Sequence, residues 1–136
     1  MWKLLFYVVK ILVKLKLNIY LVTETISGML NTELPEIELT GEKLVELWLS
    51  GNGYTNIYKE NLQIREIVII ATGTLETILV RVRTFVHPQR PYKLSEYDID
   101  KITRRASKLN QIAYAAYVVI DEYKNLVGDI NWERLG

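Results

Sequence analysis

Two β-branched runs lie almost back to back in the middle of the chain, IREIVIIA at residues 64–71 and ETILVRVRTFV at 76–86. Between them Thr72-Gly73-Thr74 supplies the turn chemistry of a hairpin, so the chain is expected to build around an antiparallel strand pair. Strand side chains alternate between faces, which puts Arg81 and Arg83 on one face of the second run and Val80 and Val82 on the other.

Helix signals flank this hairpin. Thr40 is the expected cap of a helix that carries Leu44, Leu47 and Trp48 on its buried face and stops at Ser50-Gly51-Asn52-Gly53. Downstream of a loop with Pro88 and Pro91, Ser95 and Asp98 resemble a capping box opening a helix over 96–110. Ile99, Ile102, Ala106 and Leu109 form its apolar face, with Lys101, Arg104, Arg105 and Lys108 on the opposite, solvated side. A strand at 113–120, a turn over Asp121 to Asn125 and a last strand near 127–132 complete the reading. At 136 residues the chain has room for one core, and the element order predicts a single α/β domain over 41–136.

Residues 1–40 read as an apolar extension and connection. The run MWKLLFYVVKILVKLKL would span about 25 Å as a helix, with Lys3, Tyr7, Lys10 and Lys14 in a narrow polar stripe. Lys10 and Lys14 argue against a bilayer span, and no small-residue cleavage site follows, so a cytoplasmic protein is expected. Val8, Val9, Ile11 and Val13 suit a strand equally well. Burial against a core or across a homodimer or hetero-oligomer interface through residues 1–30 is the first reading, and a membrane-surface anchor using the lysines and Trp2 is the second. From Asn18 the pattern shifts to a short strand around Ile19, Leu21 and Thr23, then a Pro35-bearing connection from Asn31 to Glu38.

Several chemistries drop out at once. Without cysteine there is no disulfide scaffold, zinc ribbon or thiol nucleophile, and His87 is the only histidine, so it is assigned no metal role. No phosphate-cradling glycine loop is present. The net charge of +1 is unevenly spread: residues 77–112 stand at +5 and the rest of the chain at −4. Such local fields steer partners even where the whole molecule is near neutral.

From Gly41 onward the chain resembles the restriction-endonuclease-like, or PD-(D/E)XK, superfamily, and looks closest to its small YraN-like and Holliday-junction-resolvase-like members. Gly41-Glu42 in a helix that ends at Gly53-Tyr54 is similar to the family's "GE" opening and following "GY". Arg65-Glu66-Ile67-Val68-Ile69-Ile70-Ala71 resembles the "GEIDLIA" strand, and Val80-Arg81-Val82-Arg83-Thr84 the "VEVKT" strand. A helix and then a strand follow in the family's order. The resemblance implies a mixed β-sheet flanked by helices.

The departures bear on function. The family's carboxylates hold Mg²⁺ and its lysine stabilises developing charge. The matching positions here are Val68, Arg81 and Arg83; valine cannot bind a metal and arginine repels one. Glu42 matches the accessory acid of the opening helix, and Glu66 shares a face with Val68. The expectation is therefore a protein that binds DNA or RNA without cutting it and uses no cofactor. Arg81 and Arg83 would sit in the cleft, with Arg90, Lys101, Arg104, Arg105 and Lys108 beside it, because guanidinium groups grip phosphate without hydrolysing it. The opposing reading makes these residues structural ion pairs with Glu42, Glu66 or Glu76. A weak Mg²⁺-dependent nuclease using Glu66 is a further alternative.

A different class of function also has motifs. Tyr117-Val118-Val119-Ile120-Asp121-Glu122 and Trp132-Glu133-Arg134 resemble the C-terminal half of the archaeal tRNA-splicing endonuclease domain. That enzyme's catalytic triad is not in place, since Ile70 and Glu76 occupy the neighbourhood of its first two positions, which would leave a non-catalytic partner subunit. Trp2, Trp48 and Trp132 read as core or interface anchors, and Tyr54, Tyr58 and Tyr92 as ordinary residues at strand ends rather than base-stacking platforms.

Overall fold

The computed structural model describes residues 36–63 and 66–136. The expectations for residues 1–35, including the oligomer interface, the membrane anchor and the early strand, lie outside the described residues, as do Ile64 and Arg65. The compact unit is Ile37–Gly136.

It opens with helix α1 at 36–51, followed by strands β1 (Thr55–Gln63), β2 (Glu66–Thr72) and β3 (Thr77–Val86). Helix α2 (Glu96–Lys108) then crosses to β4 (Ile112–Ile120), and β5 (Asn131–Leu135) closes the chain. The five strands lie side by side in sequence order. β1, β2 and β3 form an antiparallel meander, β3 and β4 run parallel, and β5 turns back on β4. The parallel step needs a crossover connection, which the loop after β3 and α2 provide. The architecture is α/β with a mixed sheet, as expected.

The sheet is covered on both faces. Val45 and Leu49 of α1 pack on Ile69, Ala71, Ile78, Val80, Val82, Ala116 and Val118. Ile102 and Ala106 of α2 pack on the opposite set, among them Val68, Leu79, Phe85, Ala113, Ala115 and Tyr117. The two-residue strand period sorts these side chains, and burial on both faces explains why β2 and β3 read as almost continuous apolar runs.

α1 is already helical at residue 36, ahead of the expected Thr40 cap, and its fully buried stripe differs from the expected one, of which Leu44 still packs partly against the core. Val45 and Leu49 are fully buried, whereas Leu47 is 69% exposed and Trp48 40%, with Trp48 leaning on Trp132 at a ring-centre distance of 4.7 Å. Gly41 sets this rotation: it lies so close to β3 that a Cβ there would collide with Thr84 Oγ1. The helix ends as expected, with the Asn52 and Tyr54 amides donating to the Leu49 carbonyl (both 3.1 Å) and Gly53 in the left-handed region at φ +86°.

The capping box of α2 is present: Ser95 Oγ accepts from the Asp98 amide at 3.2 Å. Leu109 departs from its expected place on the buried face. It is the C-cap, 51% exposed, because the helix stops at Lys108. The last strand also shifts, from near 127–132 to Asn131–Leu135; Val127 instead donates to the Val119 carbonyl as the chain leaves the turn. The strand that sequence patterning did not find is β1, TNIYKENLQ, whose polar residues suit a sheet edge. Among the described residues no helix is long and apolar enough to cross a membrane.

Candidate functional site

The feature that gathers the expected site residues is a fork in the sheet. Antiparallel pairing of β2 with β3 ends at Val68 opposite Arg81. Beyond that point Glu66 still pairs with Gln63 of β1, while β3 continues beside β4 as far as Val86 opposite Ile120. Among the described residues β3 thus has an edge with no strand partner from Val82 onward, and α1 passes this edge at Gly41.

Arg81 sits at the branch point, where its Nη1 donates to the Ile67 carbonyl of β2 at 3.1 Å. A backbone carbonyl freed by the parting of two strands needs a donor, and the guanidinium supplies one. Glu38 and Glu42, one helical turn apart on α1, lie within the fields of the fork. Burial pushes the Glu38 carboxyl above the usual carboxylate range; Arg81, a hydrogen bond from the Thr84 backbone and Arg83 pull it back. That backbone bond falls on the β3 edge, and among the described residues Glu38 Oε2 is buried without a hydrogen-bond partner. Burial likewise raises Glu42, against Lys59 and Arg81, and Glu46 adds to the rise. Lys59 of β1 stands 3.8 Å from Glu42 and 3.6 Å from Glu46, ion-pair distances too long for good hydrogen bonds.

Arg83 turns outward into an aromatic stack. Its Nη2 donates to the Tyr92 hydroxyl at 2.9 Å, and its guanidinium carbon lies 5.2 Å from the Tyr92 ring centre and 5.9 Å from that of Phe85. Phe85 and Tyr92 meet edge to face at 5.1 Å and 73°.

Glu42 therefore lies in the field of Arg81 at the fork, and Arg83 follows two residues further along the same face of β3. Val68 is fully buried and closes the fork's pairing end. Glu66 is drawn away, its carboxylate 2.7 Å from Lys101, which also donates to Gln63 Oε1 at 2.7 Å. Arg105 pairs with Glu60 at 2.6 Å and Arg104 with Asp100 at 3.1 Å. The expected solvated face of α2 is thus split: Lys101 and Arg105 are half-buried against β1 and β2, while Arg104 and Lys108 are exposed. These four line a cavity of about 350 Å³ beside Leu62 and Tyr97. Arg90 is exposed in the loop between β3 and α2.

Glu38, Thr84 and Tyr92 belong to the fork and were not among the expected site residues. Glu38 is legible in principle, four residues before Glu42, once the helix is extended ahead of Thr40. Thr84 and Tyr92 have no sequence signal of their own; only the approach of α1 and the fold of the loop bring them in. The segments that suggest a splicing-endonuclease subunit form the end of β4, an Asx turn and part of β5. Asp121 Oδ1 accepts from the Tyr123 and Asn125 amides at 2.8 and 2.9 Å. Ile70 is buried in β2, and the Glu76 carbonyl accepts from the Gly73 amide across the hairpin turn.

Fold and site together define an α/β protein with a forked mixed sheet and a guanidinium at the branch. No family model matches the chain, and none of the curated proteins compared with it matches.

Proposed function

We propose that this is a restriction-endonuclease-like domain that binds nucleic acid at the fork and does not cleave it. The observation that carries the reading is the occupant of the fork: Arg81 holds the branch point and Arg83 stands beside it, at positions where the resembling family has a carboxylate and a lysine. The strand order, the helix before β1 and the helix between β3 and β4 are consistent with that family's order of elements.

The residue set does not suit the Mg²⁺ ion that such a fold would otherwise use. Val68 offers no donor, and the Arg81 guanidinium already compensates Glu38 and Glu42. A divalent cation would have to displace or face that charge. Phosphate binding asks the opposite of the site: Arg83 spends one N–H on Tyr92 and keeps the rest of its donor fork for an anion.

The test is fluorescence anisotropy with labelled DNA and RNA across a salt series. Wild-type protein should bind at low salt, and Arg83→Ala should weaken binding and reduce the slope of log K against log salt by about 1. Absence of binding to every nucleic acid at low salt defeats the proposal. Cleavage in Mg²⁺ or Mn²⁺ that is lost in Glu42→Gln would show that the fork is a working nuclease centre.

A further inference from the structure

The loop between β3 and α2 is exposed, yet it is held at both ends. At its start the His87 amide donates to the Ile120 carbonyl and the Gln89 amide to the Val86 carbonyl, both at 2.8 Å. At its end Leu94 is buried and its amide donates to the Tyr117 hydroxyl at 3.1 Å. Pro88 and Pro91 restrict the backbone between these anchors. Such a segment has already lost much of the freedom that ligand binding would otherwise remove.

This braced loop presents Tyr92. The ring is 57% exposed, although its hydroxyl is tied to Arg83 and it makes a T-shaped contact with Phe85. An aromatic ring that is oriented by three contacts and still open to water is a platform for another flat ring. The guanidinium over it adds a cation beside the stack, and Arg90 in the same loop adds a second positive group.

We infer that Tyr92 and Arg83 form a base-stacking and phosphate-gripping site that selects unpaired nucleic acid over duplex. This rests on the nucleic-acid reading of the fork and specifies its substrate class. The physical reason is access. In a duplex both faces of each internal base are covered by its stacked neighbours, so Tyr92 can stack only where a base is unpaired or terminal. Arg83 then reaches the backbone phosphate of the stacked nucleotide, whereas in a duplex it would meet phosphate alone. Stacking is tolerant of base identity because every base has a π-face, so the preference is for strandedness rather than sequence.

The experiment compares a labelled oligo-dT strand with a labelled, relaxed, covalently closed circular duplex, which has neither ends nor unpaired bases, using the full chain. The single strand should bind wild type roughly tenfold more tightly than the duplex. Tyr92→Ala should remove that preference by weakening single-strand binding several-fold more than duplex binding. Tyr92→Phe keeps the ring, loses only the hydroxyl bond to Arg83, and should retain most of the preference. Tyr123→Ala, at a still more exposed tyrosine in the turn after β4, should behave as wild type. Circular dichroism checks that each variant is folded. Duplex binding as tight as or tighter than single-strand binding, or a preference that survives Tyr92→Ala, overturns the inference and leaves nucleic-acid binding itself standing. Failure to bind either probe at low salt removes both.

Discussion

Glu42 states the character of the fork at the scale of one residue. Its side chain is buried, its Oε2 has no hydrogen bond, and its nearest cation, Lys59, stands off at 3.8 Å. Burial outweighs the favourable fields, so the folded carboxyl holds its proton to higher pH than the unfolded value of 4.5. The folded state therefore binds more protons than the unfolded one between those two pKa values, and stability falls as pH rises through that window. Glu42→Gln removes the penalty. The variant should match wild type below pH 4.5 and exceed it in stability at neutral pH, as read from urea unfolding at both conditions. A variant less stable than wild type at neutral pH would mean that the Lys59 and Arg81 fields outweigh burial. Arg81 has the complementary part, since its guanidinium satisfies the Ile67 carbonyl and offsets both buried acids at once.

Between elements, the governing contact is Gly41 of α1 against Thr84 of β3. The helix backbone approaches the strand closely enough that no side chain fits at Gly41, and this sets which stripe of α1 is buried. Gly41→Ala should cost about 1–3 kcal/mol, because the inserted methyl must push α1 off the sheet. Thr84→Ala in the same chain removes the colliding hydroxyl and should recover part of that loss, measured as the shift in urea midpoint. The same contact explains a misreading. The sequence EIELTGEKLVELWLSG carries two overlapping apolar stripes, one through Leu44, Leu47 and Trp48 and one through Val45 and Leu49. Periodicity alone cannot choose between them, whereas a glycine facing a strand can. By contrast, the end of α1 at Gly53 and the start of α2 at Ser95 were legible, because caps are local chemistry and act over three or four residues.

Across the whole molecule, the sheet is layered by burial from centre to edge. β3 and β4 are closed on both faces by the two helices, while β1 is a polar edge with two register irregularities against β2. Hydrogen exchange should follow that order: amides of β3 and β4 slowest, those of Thr55–Gln63 faster, as resolved by mass spectrometry of peptic fragments. Exchange in β1 as slow as in β3 would mean that another surface covers the edge in solution. The charge asymmetry also resolves at this scale. The +5 of residues 77–112 is not one patch: Lys101 and Arg105 are committed to acids of β1 and β2, Lys93 to Glu133, Arg104 to Asp100 and Arg81 to the fork, and Arg83, Arg90 and Lys108 carry what is left toward solvent.

The sequence by itself determined the hairpin of β2 and β3, the C-terminal end of α1 and the N-cap of α2, the alternation that places Arg81 and Arg83 on one strand face, and the α/β class. All of these follow from local backbone preference and from side-chain period, which are readable within a few residues. Only the tertiary structure decided that β1 is a strand, since its pattern is polar and its pairing is supplied by β2. It also decided that Glu38 and Glu42 lie within the field of Arg81, that Glu66 pairs with Lys101, and that Tyr92 stands beside Arg83. Those outcomes depend on where β2 and β3 part and on how closely α1 approaches β3. The approach of α1 to β3 is packing between segments more than 40 residues apart in the chain, Gly41 and Thr84 among them, and no local pattern encodes the distance at which such segments meet.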